Sequence, residues 1–174
     1  MLVLNLPNML TLFRFLLIPV FAVLLIKDLR LHAFITYCVA FATDVLDGYL
    51  ARKHHQVTQF GRYMDPLADK LLQLTALVIL AWKRDLPAFV PIIVVVKEGL
   101  MIAGGAVMYR KFKFKLVANW FGKLSTSLFF VAVVLAIFRS PWALWVSITA
   151  IGATLYAFLR YLQNFLDLTG KTVR

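Results

Sequence analysis

Six apolar runs, each about the roughly 20 residues that a helix needs to cross a bilayer, alternate with short charged breaks from one end of the chain to the other. The runs are Met9–Ile26, Leu31–Ala51, Phe60–Trp82, Leu86–Tyr109, Asn119–Phe138 and Trp142–Phe165. Charge gathers in the breaks: Lys27, Asp28 and Arg30, then Arg52 to His55, Lys83 to Asp85, Arg110 to Lys115, and Arg139 to Pro141. Such a pattern predicts an all-α integral membrane bundle of six transmembrane helices, preceded by a short interfacial segment, Met1 to Pro7. With 62% hydrophobic and 16% charged residues among 174, a water-soluble globular domain is excluded. No linker marks a second domain and no repeat is visible, so residues 1–174 read as one membrane domain.

Lys and Arg total 19 against 8 Asp plus Glu, a net charge of +11. In a membrane protein this excess points to anionic headgroups or substrates and to control of topology, not to nucleic acid, for which a basic stripe interleaved with exposed aromatics is missing. Arg52, Lys53, Arg62, Arg110, Lys111, Lys113, Lys115, Lys171 and Arg174 fall on one side, nine against the five of Lys27, Arg30, Lys83, Arg84 and Arg139. Both termini are therefore expected on the cytoplasmic side of the cytoplasmic membrane. The N-terminus lacks the pattern of a removable signal peptide, and the lone Cys38 allows neither a disulfide framework nor a cysteine metal site.

Four of the eight acidic residues, Asp44, Asp47, Asp65 and Asp69, crowd the adjoining ends of the second and third runs. Carboxylates at membrane depth cost a few kcal/mol each on the mildest scale, so they are expected to face a polar cavity beside a compensating cation. Helical spacing puts Asp44 and Asp47 on one face, with Gly48, Ala51 and Arg52 one and two turns on; Gly61, Asp65 and Asp69 repeat this on the next helix. If the loop Lys53 to Gln59 folds the two helices antiparallel, the four carboxylates converge. Four oxygen donors without His or Cys suit Mg²⁺ or Mn²⁺, two ions about 4 Å apart, able to clamp a pyrophosphate. Gly48 and Gly61 then leave room for a ligand near helix backbone, Ala51 keeps the face low, and Arg52 offers a phosphate fork. Either Asp65 or Asp69 is placed to act as a base.

The string Asp44-x2-Asp47-Gly48-x2-Ala51-Arg52-x8-Gly61-x3-Asp65-x3-Asp69 resembles, at all eight fixed positions, the signature of the CDP-alcohol phosphotransferase family. The resemblance covers essentially the whole chain. It implies transfer of a phosphatidyl group from a CDP-linked lipid to an alcohol with release of CMP, at a cytoplasm-facing cavity of a helical bundle that is usually a homodimer. Carried onto this sequence, it implies Asp44, Asp47 and Asp65 as ligands of two divalent ions, Asp69 as general base with a possible metal contact, and Gly48, Ala51, Arg52 and Gly61 around the cytidine diphosphate, with Asn8 and Thr11 beside them.

Further phrases resemble the glycerol-lipid branch of that family: Asn5-Leu6-Pro7-Asn8, Thr11, Arg14 and Pro19, then Asp65-Pro66-Leu67-Ala68-Asp69-Lys70, and Gly122-Lys123 with Thr126. The expected donor is CDP-diacylglycerol and the expected acceptor glycerol 3-phosphate, giving phosphatidylglycerolphosphate. The alternative is cardiolipin formation with phosphatidylglycerol as acceptor. Lys97-Glu98 followed by Gly105 bears on the choice, since glycerol-phosphate users of the family typically show Arg-Glu and a second Arg there. Candidate acceptor ligands are Arg14, Lys97, Arg110 and Lys123. Arg14 is expected either to line the cavity or to snorkel to the interface.

Other features have plainer expectations. Arg110 to Lys115, interleaved with Phe112 and Phe114, reads as an interfacial segment, and His54 and His55 as a solvated loop. Trp82, Trp142 and Trp145 fit an aromatic belt, and Gly99, Gly104 and Gly105 fit close helix packing. A six-helix transporter with an acidic metal pathway is a separate class of reading, against which stands the confinement of the acids to one end.

Overall fold

The computed structural model describes residues 6–53, 59–112 and 120–172, all helices and short turns. Six helices follow one another: α1 Leu6–Ile26, α2 Arg30–Lys53, α3 Gln59–Trp82, α4 Phe89–Phe112, α5 Trp120–Ile137 and α6 Trp142–Thr172. No strand occurs among the described residues. The six expected runs are thus six helices, with α6 continuing past Phe165 and α4 beginning after Pro87. Met1 to Asn5, His54, His55 and the stretch Lys113 to Asn119 lie outside the described residues.

Among the described residues, Asn8–Ile26 and Trp142–Arg160, 19 residues each, are long and apolar enough to cross a membrane. The helices α2 and α3 carry the aspartates together with Arg52, Lys53, Arg62 and Lys70, and these charges dilute their apolar character. Large apolar side chains nevertheless point outward from all six helices, among them Leu16, Leu31, Leu71, Ile92, Val131 and Leu159.

Three helices end alike. Leu29 N donates to Leu24 O at 3.0 Å and Asp28 N to Leu25 O at 3.2 Å after α1, Asp85 N to Leu80 O at 2.9 Å and Arg84 N to Ala81 O at 3.0 Å after α3, and Ser140 N to Leu135 O at 2.9 Å and Arg139 N to Ala136 O at 3.0 Å after α5. These paired bonds are the Schellman arrangement, which satisfies the last carbonyls and needs a left-handed residue. That residue is Asp28, Arg84 or Arg139, with φ of 62°, 62° and 55°. Polar residues take a place that glycine usually fills, and the turns stay short and charged.

Contacts group the chain into two units, Met1–Asp85 and Leu86–Arg174. In the first, α1 packs along both α2 and α3, while α2 and α3 touch each other little. Its core is Phe21 and Leu25 of α1, Ala33, Tyr37 and Ala40 of α2, and Ala68, Leu72, Ala76, Leu77 and Leu80 of α3. The alanines let helix backbones approach closely, and the Phe21 and Tyr37 rings pack with centroids 5.3 Å apart. At the turn end, Arg30 pairs with Asp28 and with Asp85, each at 2.8 Å, and Lys83 lies 3.3 Å from Asp28. This cluster ties the α1–α2 turn to the end of α3.

In the second unit α6 packs mainly on α5 and also on α4. Val90 and Val94, Phe129, Val133 and Ile137, and Ala143, Ala150 and Ile151 are among its buried apolar side chains. The buried Ser147 satisfies its hydroxyl on Ala143 O at 2.7 Å, a local bond that a polar side chain can make without leaving an apolar setting. Gly99 departs from expectation: a Cβ there would meet nothing within 4 Å, so among the described residues it marks no close helix contact, while the surroundings of Gly104 and Gly105 lie outside the described residues.

Candidate active site

The site is built in the first unit, at the end away from the Arg30 cluster. Asn8, Thr11 and Arg14 recur every third residue of α1 and so form one stripe. All three are buried, at 1%, 0% and 0% exposure. A polar stripe this deep in an otherwise apolar helix needs partners from its neighbours, and for Thr11 and Arg14 those are aspartates of α2 and α3.

Arg14 reaches α2. Its Nη1 lies 2.9 Å from Asp44 Oδ1, and its Nη2 donates to Asp47 Oδ2. Asp47 is 2% exposed and Asp44 33%. Thr11, one turn earlier, donates its hydroxyl to Asp65 Oδ1 on α3. One face of α1 therefore holds carboxylates from both other helices, and Asp44, Asp47 and Asp65 are gathered on α1 while α2 and α3 pack little on each other. Asp44 lies within electrostatic range of Asp65 and Asp69, and Asp47 within range of Asp44 and Asp65. Pro66, inside α3, has no N–H to donate one turn back, which loosens the helix ladder beside Asp65.

The donor chemistry is all oxygen, as a hard divalent cation requires. Among the described residues, however, no three His, Cys, Asp or Glu side chains are arranged to hold a metal ion. Arg14 neutralises Asp44 and Asp47, and Thr11 orients Asp65. Arg14 thus faces the carboxylates rather than snorkelling to an interface.

A profile of the CDP-alcohol phosphatidyltransferase family matches residues 4–156. The chain belongs to this family. It is 35% identical over 173 residues to a protein of Shigella flexneri serotype 5b named CDP-diacylglycerol–glycerol-3-phosphate 3-phosphatidyltransferase, with 91% of this chain and 93% of that one covered. A protein of Escherichia coli K12 with the same name is 34% identical over 175 residues, again with 91% and 93% covered. As a phosphatidyltransferase of this family the chain is an enzyme of CDP-linked lipid chemistry, and the aspartates of its signature fall on the two helices that α1 joins.

The remaining expected residues divide by place. Gly61 is buried on α3 one turn before Asp65. Gly48, Ala51 and Arg52 lie on the last turns of α2, and Arg110 and Lys123 on α4 and α5, with their side-chain surroundings outside the described residues. Lys97 belongs to the second unit, where its Nζ pairs with the adjacent Glu98 at 2.7 Å and its stem lines a cavity of about 200 Å³ with Ile93, Leu100, Leu155 and Phe158. The neighbouring Glu98 carboxylate offsets its charge there.

Tyr37 and Gln73 were not among the expected site residues. Tyr37 is buried within electrostatic range of Asp69, and Gln73 is buried one turn after Asp69 on the same face. Helical spacing was the available signal, since Tyr37 precedes Asp44 by two turns.

Proposed function

We propose that the protein transfers the phosphatidyl group of CDP-diacylglycerol to glycerol 3-phosphate, forming phosphatidylglycerolphosphate and CMP. The observation that carries this reading is the likeness, over nine-tenths of the chain, to proteins named for that reaction, together with a carboxylate cluster at the family signature. The acceptor hydroxyl oxygen forms a new bond to the lipid-side phosphorus, the bond from that phosphorus to the CMP oxygen breaks, and the hydroxyl proton goes to Asp69. Asp69 is half-buried, a setting suited to a base that must meet an incoming hydroxyl.

Asp44, Asp47 and Asp65, with Asp69 at the edge, are the residues that would hold divalent cations, Mg²⁺ or Mn²⁺, as a pair. Such ions supply charge neutralisation for a diphosphate and its leaving group. Gly48, Ala51 and Gly61 leave space for the cytidine diphosphate, Arg52 forks onto its phosphates, Asn8 and Thr11 lie beside it, and Thr11 also positions Asp65 from α1. Lys97, Arg110 and Lys123 are proposed as acceptor ligands, each tested by the acceptor KM of its alanine variant.

The six helices are proposed to span the cytoplasmic membrane, with the aspartate end on the Lys- and Arg-rich cytoplasmic side. Outward-facing apolar side chains support this, since a soluble protein rarely exposes so many. Exposed Trp82 at the end of α3 and Trp142 and Trp145 at the start of α6 suit the opposite interface. A homodimer is part of the proposal, to be tested by light scattering of the detergent-solubilised protein.

The acceptor is tested by offering purified protein CDP-diacylglycerol with Mg²⁺ or Mn²⁺ and either glycerol 3-phosphate or phosphatidylglycerol. Phosphatidylglycerolphosphate from the first supports the proposal. Cardiolipin from the second alone would overturn it and make the Lys97-Glu98 and Gly105 departure the better guide.

A further inference from the structure

We infer that Arg14 is the resident counter-ion of the carboxylate cluster and that a divalent cation binds Asp44 and Asp47 only by displacing it. Arginine and cation are then antagonists at one site. The inference rests on the metal-assisted reading above and adds to it a competitor supplied by the chain itself.

Burial is the first ground. Arg14 is 0% exposed, and its charge is offset by Asp44 and Asp47. Its pairing is also incomplete. Nε and Nη1 make no hydrogen bond, although Nη1 lies 2.9 Å from Asp44 Oδ1. A guanidinium presents five donors in a fixed fork, so this one is retained by charge more than by well-formed hydrogen bonds. Such a partner can be driven off by a stronger charge.

The second ground is competition for the same oxygens. Asp47 is 2% exposed and gives Oδ2 to Arg14. A dication drawing on that carboxylate would sit beside a positive guanidinium in a setting that screens poorly, and the two cations repel. Because binding couplings are reciprocal, the cost of parting Arg14 from its carboxylates is felt as weaker metal affinity. Removing the guanidinium should therefore tighten metal binding while it destabilises the metal-free protein. A mere packing role for Arg14 predicts the opposite for the metal, since a disturbed site binds less well.

The test is Mn²⁺ binding to the purified full chain, read from the loss of the free-ion paramagnetic resonance signal, together with thermal unfolding in chelator and in Mn²⁺. Wild type, Arg14→Gln, Arg14→Lys and Asp47→Asn are compared. The expected result is an Mn²⁺ Kd at least about tenfold lower in Arg14→Gln, a factor equal to about 1.4 kcal/mol. Arg14→Lys should fall between, because one ammonium cannot fork onto two carboxylates. In chelator, the unfolding midpoint of Arg14→Gln should lie below wild type and rise further on adding Mn²⁺. Equal or weaker Mn²⁺ binding by Arg14→Gln, with wild-type binding that Asp47→Asn abolishes, overturns the inference and leaves the metal reading standing. Wild-type protein with no Mn²⁺ binding sensitive to Asp47→Asn overturns both. If Arg14→Gln does not fold, Arg14→Lys carries the comparison, and an affinity no tighter than wild type overturns the inference.

Discussion

Arg14 Nη1 on α1 stands 2.9 Å from Asp44 Oδ1 on α2, with the guanidinium fully buried. The pair joins two consecutive helices across their interface, and it brings the first aspartate of the family signature under the control of a helix that contains none of that signature. With Asp47 on the same guanidinium and Asp65 on Thr11, α1 becomes the scaffold on which the carboxylates are gathered.

Loss of any of these carboxylates should be severe. Asp44→Ala, Asp47→Ala and Asp65→Ala are expected to lower CMP release by a factor on the order of 100 or more, with loss of Mn²⁺ binding. Asp69→Asn should lower it comparably while Mn²⁺ remains bound, because a base and not a required ligand has been removed. Full activity in any of the first three would sink the site. Asp47→Ala should also be less stable by about 2 kcal/mol, since Arg14 keeps Asp44 but loses its charge-assisted hydrogen bond, as seen in thermal unfolding.

Thr11→Val removes one hydroxyl of nearly equal volume. Its hydrogen bond to the Asp65 carboxylate is charge-assisted, and its loss should cost about 2 kcal/mol of stability. Thr11→Ser should restore most of it. Equal unfolding midpoints for wild type and Thr11→Val would show that α1 does not hold Asp65.

How much of this was readable beforehand differs between levels. Six helices were legible because apolar runs of bilayer length broken by charge admit few alternatives, and the shared faces of Asp44 with Asp47 and Asp65 with Asp69 follow from helical spacing. Asn8, Thr11 and Arg14 were legible as site candidates on α1, but the aspartates that Thr11 and Arg14 would meet were not. Arg14 meets a residue 33 positions away and Thr11 one 54 away, and spacing along one helix does not say which helices will touch. Gly99 failed for the same reason, since a small residue permits close packing without supplying a neighbour. The turn residues Asp28, Arg84 and Arg139 lacked the glycine that ordinarily signals a left-handed cap.

The turn cluster should give a pH signature in acid. The Asp28 carboxyl, in the loop between α1 and α2, is held below its ordinary value of 3.8, chiefly by its hydrogen bond with Lys83 and further by the charges of Arg30 and Lys83, against a smaller opposing effect of desolvation. A lowered folded-state value means that this contribution to stability is present above 3.8 and is lost as the pH falls through the folded-state value. Unfolding midpoints of wild type and Asp28→Asn, which keeps a residue tolerant of the left-handed turn, should differ at about pH 5 and converge in stronger acid. A constant difference would contradict it.

Arg84 is exposed and sits at φ 62°. Arg84→Gly should remove the strain of a side chain in that conformation, about 1 kcal/mol, partly offset by the greater freedom of glycine in the unfolded chain. A net gain of about 0.5 kcal/mol is expected, read as a higher unfolding midpoint. A lower midpoint would mean that the Arg84 side chain stabilises the turn.

The most direct test of the central claim is incorporation of labelled glycerol 3-phosphate into lipid by the purified protein with CDP-diacylglycerol, in Mg²⁺ or Mn²⁺, in excess chelator, and after metal is restored. The predicted result is labelled phosphatidylglycerolphosphate with equimolar CMP, lost in chelator, recovered with metal, and missing from Asp47→Asn under every condition. Undiminished incorporation in chelator, or metal-dependent CMP release with no label entering lipid, would contradict the account.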